Sequence, residues 1–180
     1  MDLLKAARNG KESAFLEIFD EHHSALFRFA YRMTGSVADA EDVVQESFLA
    51  LLRPTCSYDP KRASLRTYLF GAVRNQSLKR NKQGDLADGG DRVHDQSPET
   101  ELLRAELKDV VARAVTQLPD TQREILILAH YEEMPLAEIA QITALELGAV
   151  KSRLQRARAS LKESLAAYAS THACNQEPKI

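Results

Sequence analysis

The sequence predicts an all-α protein made of two small helical domains joined by a flexible acidic linker, the second containing a helix-turn-helix. Three observations carry that class. Every strong hydrophobic period along the 180 residues is helical. Seven glycines, six prolines and 6% aromatics, with no tryptophan, are too few turn formers and rings for a β-sandwich or barrel. Residues 83–96, where the period fails, hold Gly84, Gly89, Gly90 and four aspartates, Asp85, Asp88, Asp91 and Asp95, between two ordered stretches.

In chain order, Phe15, Ile18, Phe19, Leu26, Phe29 and Met33 recur at spacings of three, four and seven and predict one amphipathic helix from about residue 12 to 34. Gly35-Ser36 punctuates it. Ala40, Val43, Val44, Phe48, Leu51 and Leu52 mark a second helix that stops before Pro54. Residues 53–63 have no period and two prolines, so they form a loop. Ser64 then caps a third helix with Leu65, Tyr68, Leu69 and Ala72 on its apolar side. Beyond the linker, Ser97-Pro98-Glu99 supplies a cap, a proline at the first helical position and an acid at the positive end of the dipole. Leu103, Leu107, Val110, Val111, Ala114 and Leu118 carry that helix to Pro119. Thr121-Gln122-Arg123-Glu124 reads as a capping box for the next, cored by Ile125, Leu126 and Leu128. Pro135 opens a short helix through Ile142. A last one runs from about Glu146 to Ala166, with Leu147, Val150, Leu154, Ala157 and Leu161 inward, and the tail from Ser170 is expected to fray. The expected units are therefore a first domain over 1–82, a linker over 83–97, a second domain over 98–168 and a tail over 169–180.

No stretch of 18 apolar residues exists, which excludes a membrane-spanning helix, and the first residues lack the order of a signal peptide. Cys56 and Cys174 stand far apart at no metal-ligand spacing and read as free thiols of a cytoplasmic chain. The net charge of −2 conceals a segregation. Residues 60–84 carry Lys61, Arg62, Arg66, Arg74, Lys79, Arg80 and Lys82 and no acid; residues 149–162 carry Lys151, Arg153, Arg156, Arg158 and Lys162 and no acid. These islands hold 12 of the 24 basic residues, so the rest sets 12 bases against all 26 acids, a balance of −14. Two basic islands in an acidic body point to two contacts with a polyanion.

Residues 136–158 explain one contact. A short helix (Leu136, Ile139, Ala140), a tight turn near 143–145 and a longer basic helix are the parts of a helix-turn-helix. Such a unit lays its second helix in the DNA major groove. The outward face of that helix holds Lys151, Ser152, Gln155, Arg156 and Arg158, which can bond base edges or neutralise phosphates. A solvated basic helix end is the alternative.

At this point the residues resemble a known family. Glu138-Ile139-Ala140 followed by residues 148–158, GAVKSRLQRAR, is similar to region 4 of sigma factors, and residues 118–124, LPDTQRE, to the first half of that region. Residues 40–48, AEDVVQESF, resemble region 2, as do Tyr58-Asp59-Pro60, residues 65–70 (LRTYLF) and Val73-Arg74-Asn75. Their order and spacing are those of the small two-domain sigma factors of the extracytoplasmic-function group, over roughly residues 10–82 and 100–165.

The resemblance implies a protein that binds core RNA polymerase through its β′ coiled coil and β flap. It would recognise the minus-ten and minus-thirty-five elements of promoter DNA and help to open the duplex. It implies that the second helix of the first domain docks on polymerase through Asp39, Glu41, Asp42, Gln45 and Glu46. It implies that Tyr58, Lys61, Arg62, Arg66, Arg74, Asn75, Lys79 and Arg80 meet the minus-ten region, where a strand is unstacked and held along a basic groove. Lys151 and Arg153 would lie on phosphates, while Ser152, Gln155 and Arg156, with Arg158 beside them, read the minus-thirty-five element. Tyr68 and Phe70 are expected in the core. An anti-sigma partner is implied as well. Three positions depart from the family pattern: Tyr68 where Trp is usual, Ala144 where the turn commonly has Gly, and Glu146 where a small hydroxyl caps the helix.

No enzyme, metal or cofactor signature accompanies this. Glu21-His22-His23 lies mid-helix with no second ligand at the spacing of a zincin, so both histidines are expected to be exposed helix residues. There is no phosphate-cradling glycine loop and no nucleophile–histidine pattern. The rival reading, a helix-turn-helix regulator acting without polymerase, leaves the acidic helix at 39–46 and the basic segment 60–84 unemployed. The charge segregation further predicts that acidic and basic parts compete for each other in the unbound chain.

Overall fold

The computed structural model describes residues 3–84 and 102–173, with side chains over 3–82 and 109–168. It is all-helical among the described residues. The helices are α1 (Leu3–Arg8), α2 (Glu12–Thr34), α3 (Val37–Leu52), α4 (Leu65–Gly84), α5 (Leu102–Thr116), α6 (Asp120–His130), α7 (Leu136–Thr143) and α8 (Leu147–Ala173). Most of the linker and the Ser97-Pro98-Glu99 cap lie outside the described residues.

In the first half, α2, α3 and α4 pack mutually around Leu26, Phe29, Met33, Phe48, Leu51, Leu69 and Phe70, all buried. The α2–α3 corner is tight because Gly35 adopts φ 72°, a left-handed conformation that costs glycine little, and its N–H bonds the Tyr31 carbonyl at 2.7 Å. Ser36 then caps α3, its Oγ accepting from the Asp39 N–H at 3.2 Å. Ser64 caps α4 as expected, accepting from the Thr67 N–H at 3.1 Å. The sequence reading missed α1. It buries Leu4 and Ala7 against the bundle, while Arg8 Nε and Nη2 donate to the Leu51 carbonyl at 3.1 and 3.0 Å, closing the end of α3.

In the second half, α5, α6 and α7 all pack on α8. α7 starts after Pro135 and ends at Ala144, which takes φ 54° and ψ 40°. Ala144 therefore adopts the left-handed turn that glycine would adopt with less strain. Two expectations need correction. The capping box at 121–124 does not form: α6 begins at Asp120 behind Pro119, no side chain caps it, and Glu124 lies buried inside the helix. Leu147 is 41% exposed rather than inward, and the inward face of α8 begins at Val150, 0% exposed. α8 runs to Ala173, three residues past the expected start of the tail at Ser170, and the rest of the tail lies outside the described residues.

The two halves do not stand apart. α2 packs on α5 and α6, and α4 packs on α7. Met33 of α2 and Ile125 of α6 belong to one continuous apolar core. Arginine–carboxylate and arginine–carbonyl pairs lie beside that core, joining residues too far apart in the chain for a local pattern to reveal.

Candidate nucleic-acid interface

Two neighbouring helices, α3 and α4, present the expected acidic and basic groups on one side of the first half. α3 buries Ala40, Val43, Val44, Ser47 and Phe48, and this leaves Glu41, Asp42 and Gln45 exposed, with Asp39 and Glu46 half-buried. α4 runs alongside and turns Lys79 and Arg80 toward them. Arg80 Nη1 donates to Asp39 Oδ1 at 2.7 Å and Nη2 to Asp42 Oδ2 at 2.9 Å. The hydrogen bond that Arg80 donates to Asp42, then the charge of Asp39, holds the Arg80 pKa above its ordinary value despite some desolvation. Glu46 pairs with Arg53 at 2.9 Å. Between α3 and α4 lies a groove of about 560 Å³ lined by Asp42, Gln45, Glu46, Leu49, Lys79 and Arg80. Its one large apolar side chain, Leu49, is 47% exposed.

The residues expected at the minus-ten element fall into three places. Lys61 and Arg62 are exposed on the 53–63 loop, where Asp59 Oδ1 accepts the Lys61 N–H at 2.9 Å and shapes the turn. Tyr58 is half-buried, its ring edge-on to Tyr68 with centroids 5.3 Å apart. Lys79 and Arg80 line the groove just described. Arg66 and Arg74 point instead at the second half. Arg74 Nε and Nη2 grip Glu124 Oε2 and Oε1 at 2.6 and 3.1 Å, and Arg66 Nη2 donates to the Glu132 carbonyl at 3.0 Å. Asn75 is exposed and accepts from Arg74 Nη1 at 3.1 Å.

Phe70 is core, 1% exposed, and Tyr68 half-buried, as the sequence suggested. The Tyr68 hydroxyl stands 3.2 Å from Cys56 Sγ, and burial, then this contact, raises its pKa.

The second half presents the other face. Val150, Leu154 and Ala157 anchor α8 inward. Helical geometry then puts Lys151, Ser152, Gln155, Arg156 and Arg158 outward and exposed, with Arg153 half-buried at the edge. Arg158 Nε donates to His130 Nε2 at 3.0 Å, which ties α8 to the end of α6.

Sequence reasoning missed the buried charges between the halves. Arg123 and Glu124 are 6% and 0% exposed, in a helix buried continuously from Arg123 to Leu128. Arg123 Nη1 donates to the Met33 carbonyl at 2.9 Å, and its Nη2 to the Thr116 and Leu118 carbonyls at 2.6 and 2.9 Å. The available signal was the unbroken apolar run after Glu124: a helix buried on all sides is covered by more than its own small bundle. The histidine expectation also needs correction. His22 has a side chain only 11% exposed, and His23 stacks on Phe19 with centroids 4.5 Å apart. Burial, then the charge of Arg66, lowers the His22 pKa, against the opposing pull of Glu21. No cluster of His, Cys, Asp or Glu fit to hold a metal ion, and no helix long and apolar enough to cross a membrane, occurs among the described residues.

Comparison with known proteins matches the geometry. The Sigma-70 region 2 profile covers residues 18–85, and the Sigma-70, region 4 profile covers residues 108–161. The ECF RNA polymerase sigma factor SigL of Mycobacterium tuberculosis is 34% identical over 156 residues, 82% of this chain and 86% of that protein. SigW of Bacillus subtilis is 28% identical over 177 residues, 90% of this chain and 94% of that protein. Among solved structures, CnrH in complex with the cytosolic domain of CnrY has a TM-score of 0.69 at 27% identity, covering 92% of this chain and 96% of that one. RpoE in complex with the anti-sigma factor NepR from Bartonella quintana gives 0.65 at 27% identity, covering 84% and 96%. Two region profiles in the expected order, and relatives matched over most of their length, establish that the chain belongs to the extracytoplasmic-function sigma factors of the sigma-70 family.

Proposed function

We propose that this sigma factor docks core RNA polymerase through Asp39, Glu41, Asp42, Gln45 and Glu46. In this reading it meets the minus-ten region through Tyr58, Lys61, Arg62, Arg66, Arg74, Asn75, Lys79 and Arg80. It reads the minus-thirty-five element through Lys151, Ser152, Arg153, Gln155, Arg156 and Arg158. The observation that carries the reading is the division of α8, whose inner residues are buried in a helix-turn-helix while its polar residues face outward. A groove-entering helix requires that division. The acidic face of α3 supports the docking role, because charge sets approach and register at such an interface. The protein is an initiation factor with no catalysis of its own, acting in the cytoplasm beside the polymerase. The solved complex of RpoE with the anti-sigma factor NepR supports a protein partner of the same kind here. Units at 1–82 and 98–168 joined through 83–97 remain our division of the chain.

Co-elution with core polymerase tests the docking role. Asp42→Lys with Glu46→Lys is expected to weaken binding at least tenfold, the scale of truncating paired charges at an interface. Unchanged co-elution would remove α3 from the docking surface.

A further inference from the structure

Tyr68 lies in the first turn of α4, which Ser64 caps, and faces the loop that joins α3 to α4. Its hydroxyl stands 3.2 Å from Cys56 Sγ, and the Tyr58 ring lies edge-on to its own with centroids 5.3 Å apart. Burial, then the bond to Cys56, raises the Tyr68 pKa, the direction expected of a hydroxyl that donates and keeps its proton; Ser57 and Arg8 pull the other way. Three consecutive loop residues therefore gather round one ring of α4. The remainder of the loop is shaped by turns of its own. The Cys56 N–H donates to the Arg53 carbonyl at 3.0 Å, and the Arg62 N–H to the Asp59 carbonyl at 3.0 Å. Lys61 and Arg62 ride on this second turn, both exposed. At the start of the loop, Arg8 of α1 holds the Leu51 carbonyl and fixes the point from which the chain leaves α3.

We propose that Tyr68 is a positioning residue: through Cys56 and Tyr58 it fastens the α3–α4 loop to α4, and so fixes where Lys61 and Arg62 meet the opened promoter strand. The last clause rests on the minus-ten role proposed for that loop; the fastening does not. Turns set the shape of a segment but not its place on the bundle, and here a single ring supplies the place. Asp59, which closes the second turn, follows Tyr58 directly, and one residue spans about 3.5 Å, so a loop tied at Tyr58 cannot carry that turn far. A cation on a loop meets a phosphate only in the conformations that bring the two together, so its apparent affinity follows the fraction of time the loop is in place. Tryptophan, usual in the family at this position, has a ring N–H but no hydroxyl, so the bond to Cys56 belongs to this chain's departure from the pattern.

The test compares wild type, Y68F, C56A, Y68F/C56A and K61A/R62A, each as the full chain bound to core RNA polymerase. Hydrogen exchange of peptides across residues 53–64 reports the fastening. On a promoter fragment that supports run-off transcription, permanganate reactivity of thymines reports strand opening, and gel retardation in the cold reports duplex binding before opening. Y68F keeps the ring against Tyr58 and removes only the oxygen. It is expected to speed exchange across the loop and to lower opening about fivefold, the scale of one net hydrogen bond, with duplex binding unchanged. C56A should do the same, and the double variant no more than either alone, because both groups act through one contact. Should Y68F lose its helical circular dichroism, C56A decides by the same readouts. Loop exchange and opening that stay as in wild type overturn the proposal, and so does a loss of duplex binding in parallel with opening, which marks a general weakening of the fold. If Y68F frees the loop without lowering opening while K61A/R62A does lower it, the positioning role falls and the minus-ten role of the loop stands. If K61A/R62A leaves opening intact, the minus-ten role itself fails and takes the proposal with it.

Discussion

At the scale of single residues, His22 shows how a buried side chain couples the fold to pH. Its ring is 11% exposed on α2, and burial and Arg66 lower its pKa below the ordinary 6.5. The unfolded chain therefore binds a proton more readily than the folded one as pH falls through 6.5. The stability that neutral His22 contributes is complete above that value and declines below it, down to the lowered folded pKa. His22→Gln is expected to lose less stability than wild type between about pH 7.5 and about pH 5, read as urea midpoints. Equal losses in both chains would contradict the assignment. His22 also marks a limit of reading residues one at a time. Its sequence position, between Glu21 and His23 in mid-helix, suggested exposure, and only the packing of the helices determines that it turns inward.

Among elements, α8 and α4 divide the account. The helical period identified α8 and its inward Val150, Leu154 and Ala157, so the outward set followed from geometry alone. If that set reads promoter DNA, its members act differently. Lys151→Ala should weaken binding to all sequences alike and reduce the salt slope by about one. Arg156→Ala should cost about 1–3 kcal/mol on the cognate element and relax the preference there. Binding of the holoenzyme to promoter and scrambled duplexes across a salt series separates the two; identical profiles would contradict base reading by Arg156. α4 was legible as a basic helix, but not how its charges are spent. Arg80 turns to Asp39 and Asp42, Arg74 to Glu124 and Arg66 to the Glu132 carbonyl. Those partners lie 38 to 66 residues away in the chain, beyond the reach of any local pattern. α1 escaped notice because six residues are too short to show a period.

The molecule as a whole is two helical bundles drawn into one continuous core, with charge at the seam. Composition and periodicity revealed the bundles, and the two basic islands suggested two contacts with a polyanion. The closure was harder to read because its ion pairs and carbonyl contacts join residues far apart in the chain, and the apolar core beside them left only the unbroken run after Glu124 as a signal. On the proposed roles, an acidic helix that docks, a basic helix beside it and a separate helix that reads DNA make sense together only if polymerase and promoter are engaged at once. Run-off transcription with bacterial core polymerase on promoter fragments tests this most directly, comparing no added chain, wild type and the Asp42→Lys, Glu46→Lys variant. The account predicts specific initiation that depends on the chain and falls at least tenfold with the charge reversal. Absence of initiation, together with a duplex footprint made by the chain without polymerase, would contradict it.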